Sequence, residues 1–197
     1  MTRRLLTSLA LITLLGAGCD SDGGGQDDTT PPTSAASEAV DMVVTPSGVG
    51  QRSFGDDAEA VIAYVTAVLG DPDEDTGWTD PFSEFGTCSG TKARAVVWGG
   101  LQLIFSDDSG GEYAPTGAEQ LIGYSLRAGP VTVETTTGIG PGSTVAELRK
   151  AHPDAEVFED DVFGAQATTD DGLWIILTGT ADDATVESIL GGQGCGE

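Results

Sequence analysis

Three residue types in this chain could do chemistry: one histidine, three cysteines and 32 acids. His152 is the only histidine, so a catalytic triad or an imidazole-containing metal site has to use it. It stands before Pro153 at the end of a helical pattern, where a histidine often serves as a C-terminal cap partner. No G-x-S-x-G, H-E-x-x-H or phosphate-loop pattern occurs. Acids are so frequent that two of them lying close together carries no meaning; a glycosidase would need two that are buried and paired. Asp71, Asp73 and Asp75 fall at D-x-D-x-D spacing, where a calcium loop places its carboxylates. That loop's sixth position is Thr76 instead of glycine and its twelfth is Phe82 instead of glutamate, which excludes an EF-hand. Weak calcium binding at these three acids is the metal candidate, set against a solvated turn after a helix. No catalytic residue is assigned and no cofactor is implied.

Cys19 ends a different kind of segment. Arg3 and Arg4 precede an apolar run over residues 5–15, and Gly16, Ala17 and Gly18 lead into the cysteine. A basic start, a short apolar run and small residues before a cut describe a secretory signal peptide. The run is too short to span a bilayer, which needs about 20 residues. The cysteine after Gly16-Ala17-Gly18 resembles the lipobox of bacterial lipoproteins, although Gly16 stands where that pattern usually has leucine and Leu15 is one place earlier. The resemblance implies cleavage after residue 18 and a diacylglycerol on Cys19; the alternative is an ordinary secretory cut nearby. If Cys19 takes the lipid, Cys88 and Cys195 are left as a pair. In an oxidising compartment an even remainder reads as a disulfide, the alternative being two separate thiols.

Composition narrows the class of partner. The chain has 197 residues, enough for one ordinary domain or two small ones. Its formal net charge is −24, and loss of Arg3 and Arg4 with the signal peptide makes it more negative. Such a surface repels phosphate backbones, which excludes nucleic acid as a partner, and it repels anionic headgroups, so the lipid itself must do the anchoring.

The elements that would position these residues follow from period and punctuation. Residues 20–39 hold Gly, Ser, Thr, Pro and acid with almost nothing to bury, and read as a disordered tether. A short strand is expected near 42–44. A helix is expected over about 57–69, capped by Asp56, with Ala58, Val61, Ile62, Val65, Val68 and Leu69 on one face and Gly70 and Pro72 as the stop. Period-two runs at 93–98, 101–105, 120–126 and 131–135 predict a strand meander. The pattern then restarts: Gly138-Ile139-Gly140 echoes Gly48-Val49-Gly50, Thr144 and Glu147 form a T-x-x-E capping box, and strand-like runs follow at 155–158, 162–168, 173–178 and 185–190. Trp78, Trp98 and Trp174 lie in or near such runs and read as core or sheet-face residues; an exposed one would mark a partner surface.

A glycine-rich entry, a capped helix and a strand meander, twice over, resemble the fold of the β-lactamase inhibitor protein and the small lipoproteins of the outer-membrane assembly machinery (SmpA/OmlA type). Gly138, Gly142, Thr144, Glu147 and Leu148 carry the resemblance, with Gly55, Asp56, Val61, Gly70 and Pro72 in the first half. The second helix departs from the pattern by running into His152-Pro153 instead of Gly-x-Pro. The resemblance implies protein binding without catalysis, and no binding residue is carried over. The expected fold class is α+β, with two tandem units of a capped helix followed by an antiparallel β-meander and the helices packed on one sheet face. The expected divisions are a signal peptide (1–18), a lipid-anchored tether (19–41), a first unit (42–137) and a second unit (138–197). The expected function is that of a lipid-anchored protein-binding or scaffold lipoprotein of the bacterial cell envelope, facing outside the cytoplasm. The alternatives are an extracytoplasmic carboxylate-dependent hydrolase and an acidic calcium- or small-ligand-binding module.

Overall fold

The computed structural model describes residues 42–83 and 86–195. The signal-like segment 1–18, the lipidation candidate Cys19 and the tether 19–41 lie outside the described residues. In chain order the elements are β1 (Val43–Thr45), β2 (Gly48–Val49), β3 (Arg52–Ser53), α1 (Ala58–Leu69), β4 (Glu74–Asp75), β5 (Phe82–Ser83), β6 (Gly86–Thr87), β7 (Ala93–Trp98), β8 (Leu101–Ser106), β9 (Gln120–Arg127), β10 (Glu134–Thr135), α2 (Val145–Ala151), β11 (Glu156–Asp160), β12 (Gly164–Thr168), β13 (Trp174–Leu177) and β14 (Val186–Gly192).

The expected α+β class is corrected by this architecture, which is mostly β and sandwich-like. Twelve strands form one sheet of eight, in the order β11-β12-β13-β14-β9-β8-β7-β4, and one of four, in the order β10-β1-β2-β3. The two helices among the described residues are short, 12 and 7 residues. The large sheet is continuous across the expected unit boundary because β14 pairs antiparallel with β9, with Ile189 opposite Leu126 and Leu190 opposite Ser125. A separate four-stranded half would leave one of these strands as an unpaired apolar edge, and their pairing removes both edges at once. Residues 131–135 do not extend the meander as expected. Pro130 has no N–H to offer a ladder, and the chain crosses to the small sheet, where β10 pairs parallel with β1.

Local signals place the helices. The Asp57 carboxylate caps α1 by accepting from the Ala60 amide at 3.0 Å, while its neighbour Asp56, the expected cap, accepts from the Ser53 amide. Gly70 ends α1 at φ +91° with its amide on the Thr66 carbonyl. Thr144 and Glu147 form a reciprocal capping box at the start of α2, and the His152 amide closes its end on the Leu148 carbonyl.

One apolar core joins these layers. Val61 and Val65 of α1, Val145 and Leu148 of α2, Val44 and Val49 of the small sheet, and Trp98, Leu103, Phe105, Leu126, Ile175 and Ile189 of the large sheet are buried together. On the opposite face of the large sheet a second, smaller cluster gathers Ala93, Ala95, Ile104 and Ile122 under Cys88, with Tyr113 and Cys195 packed against it. Cys88 and Cys195 are joined by a disulfide. The tail before Cys195 runs directly beside β9: the Gln193 amide donates to the Ile122 carbonyl at 2.7 Å. Only glycine fits at Gly123, where a Cβ would stand 2.2 Å from the Gln193 carbonyl oxygen.

Candidate functional site

Four large apolar side chains are exposed among the described residues, and all four lie between positions 158 and 174: Phe158, Val162, Phe163 and Trp174. Their clustering follows from register. In the β11–β12 pair Phe158 stands opposite Gln166, and in the β12–β13 pair Gln166 stands opposite Ile176 and Thr168 opposite Trp174. Side chains two apart on a strand share a face, so Phe158, Gln166, Ile176 and Trp174 lie on one side of the sheet. That side is opposite the main core, because Ala167 and Ile175 between them point into it. The row through Trp174 continues across the sheet to Leu190, Ser125, Gln102 and Val97.

Trp174 is 44% exposed, yet its ring is held: the indole N–H donates to the Gln166 Oε1 at 2.8 Å. Gln166 is itself buried, so the indole is anchored at its polar end and open on its apolar one. The hairpin tip is also fixed. The Asp160 Oδ1 accepts from the Val162 amide at 2.8 Å and the Phe163 amide at 2.9 Å, which presents Val162 and Phe163 to solvent at 80% and 63% exposure. The Phe163 and Val162 amides hold the Asp160 carboxyl below its usual range.

The patch has an acidic setting. Glu156, Glu159, Asp161, Asp170, Asp171 and Glu187 are exposed on these strands and turns, and residues 151–197 contain no lysine or arginine.

The calcium candidates are differently placed. Asp75 is gripped by Arg94, Nε to Oδ1 at 2.8 Å and Nη2 to Oδ2 at 2.6 Å, which holds its carboxyl below the usual range. Glu59 of α1 holds the third arm of the same guanidinium at 2.6 Å. The Asp73 Oδ2 accepts from the Gly99 amide at 2.6 Å, and Asp71 is exposed. Asp73 and Asp75 are thus engaged in fixing β4 against β7. The one gathering of three potential metal ligands among the described residues is His152 with Asp170 and Asp171, which the spacing of the sequence did not reveal.

A carboxylate hydrolase would need two buried acids, and among the described residues no aspartate or glutamate is buried. Trp174 reads as core or sheet-face in the sequence, and its exposure is not legible there because 173–177 is apolar throughout, Leu-Trp-Ile-Ile-Leu, with no alternation to tell one face from the other. No protein-family model, curated protein or solved structure matches this chain.

Proposed function

We propose that this protein is a lipid-anchored binding protein of the bacterial cell envelope, which holds a basic partner protein against the aromatic end of its large sheet. The observation that carries the reading is the confinement, among the described residues, of every exposed large apolar side chain to β11, the β11–β12 turn and β13. Partner surfaces use rigid aromatic anchors surrounded by a polar rim, and Trp174 pinned by Gln166 has that form. The rim carries acids and no lysine or arginine of its own after position 150, which favours a partner rich in those residues and repels acidic ones. Lipidation at Cys19 would keep the domain at the membrane surface, with the acidic segment 20–39 between the anchor and the domain in the sequence.

The test uses the full-length protein purified in detergent, with wild type and a Phe158→Ala/Trp174→Ala variant compared for capture from envelope extract. The reading expects a basic protein retained by wild type and reduced at least tenfold by the variant, with loss at high salt. Identical capture by both proteins overturns the surface. A Cys19→Ser protein that still partitions with membranes overturns the anchor.

A further inference from the structure

We propose that His152, Asp170 and Asp171 form a binding site for a divalent transition-metal ion, with Zn2+ as the best fit. One donor atom from each of the three lies within 4.8 Å of the other two. The residues come from separate parts of the fold. His152 closes α2, and the two aspartates sit in the turn between β12 and β13. An ion there would tie the end of the helix to the turn that leads into Trp174.

The histidine is what makes this more than a pair of surface acids. His152 is buried, 8% exposed as a residue, and its Nε2 lies 2.9 Å from the Thr137 hydroxyl. Thr137 is in turn 2.9 Å from the Thr135 hydroxyl. This chain of hydroxyls fixes the ring plane and occupies one nitrogen, as the outer partners of metal-binding histidines do. Among the described residues Nε2 is the ring nitrogen that makes a hydrogen bond, which leaves the other nitrogen, Nδ1, with a lone pair to offer a ligand. Asp171 is steadied by the hydroxyl of the buried Thr169, and the exposed Asp170 is free to turn toward the ion. Neither carboxylate makes a salt bridge among the described residues.

One imidazole and two carboxylates suit a borderline ion. Calcium and magnesium take oxygen ligands almost exclusively, whereas Zn2+ accepts nitrogen and oxygen together, with water completing the tetrahedron. Bond lengths of about 2.0–2.2 Å require the donors to close up from their present spacing, and the exposed aspartate side chains supply that movement.

The experiment titrates ZnCl2 into the full-length protein after chelator treatment, by calorimetry and by thermal shift. The expected result is one ion per chain with a dissociation constant on the order of micromolar, a rise in melting temperature, and no response to Mg2+ or Ca2+. Asp170→Asn/Asp171→Asn, which changes only exposed groups, should weaken binding at least tenfold and leave the metal-free melting temperature in place. His152→Gln should do the same to binding. Absence of binding at millimolar Zn2+, or equal affinity in the double aspartate variant, overturns the site. Neither readout depends on the partner surface.

Discussion

The two ends of the large sheet treat their outer faces differently. At the β7–β9 end, Ala95, Ile104 and Ile122 are covered by the chain itself: Tyr113 and the Cys88–Cys195 disulfide pack over them. At the β11–β13 end, Phe158 and Trp174 occupy the same face and are exposed. Both ends present their other face to one common core. An apolar residue outside the core therefore has two fates in this molecule, covered by a cross-linked tail or left open. The open end is the one whose acids have no lysine or arginine from the same segment to pair with. Apolar area left exposed in one contiguous place marks an interaction site more reliably than scattered exposure does.

The largest expected effect tests the covered end. The disulfide spans a sequence separation of 107, for which the chain-entropy model gives up to about 4–5 kcal/mol. Cys88→Ala/Cys195→Ala should lower the denaturation midpoint accordingly. Amide exchange should rise in β7–β9 and in residues 191–195 more than in β11–β13. Equal loosening at both ends would show that the tail is not a local cover, and the contrast between the ends would fail.

The next test sets two tryptophans against each other. Trp98 is buried in the core and its indole N–H donates to the Gly70 carbonyl at 3.0 Å, so it also closes the end of α1. Trp98→Ala should cost about 3–5 kcal/mol of stability by urea denaturation. Trp174→Ala should cost under about 1 kcal/mol, because its ring loses little packing, yet weaken partner capture by about 2 kcal/mol or more. A Trp174 variant as unstable as the Trp98 variant would make Trp174 a structural residue and remove it from the binding surface.

How far this contrast is legible in the sequence depends on the range of each signal. Helix ends are written locally: Thr144 with Glu147, and Gly70 before Pro72, need only neighbours three or four residues away. The cysteine pair is read from parity once Cys19 is set aside. The fold class is not legible in the same way. Capped helices give strong periodic signals, whereas β2, β3, β4 and β10 are two residues long and have no period at all. The partner of β10 also lies far away in sequence, since Glu134 pairs with Val43. The α+β reading gave weight to the two helices and had no means of seeing β9 join β14. The candidate metal group fails for the same reason, since His152 meets Asp170 and Asp171 only through the fold.

The smallest expected effect concerns charge. At the covered end Asp75 and Glu59 are paired with Arg94, whose side chain is 12% exposed. At the open end Asp161 is exposed and has no salt-bridge partner among the described residues. Arg94 holds the Asp75 carboxyl below its ordinary range in the folded protein. A carboxyl lowered in this way contributes stability above its unfolded value, about 3.9, and that contribution is lost as pH falls through the lowered folded value. Asp75 is about one-third exposed, so solvent screening limits the contribution to under about 1 kcal/mol. Asp75→Asn should therefore destabilise the protein at pH 7 by that amount and by progressively less as the pH is lowered toward 2. Asp161→Asn, which breaks no pair, should change stability by under about 0.5 kcal/mol at pH 7. Urea denaturation of both variants at pH 7 and pH 3 reads the difference. An Asp75→Asn cost that does not shrink on acidification would assign the contact's value to hydrogen-bond geometry instead of charge, and the electrostatic half of the contrast between the two ends would have to be withdrawn.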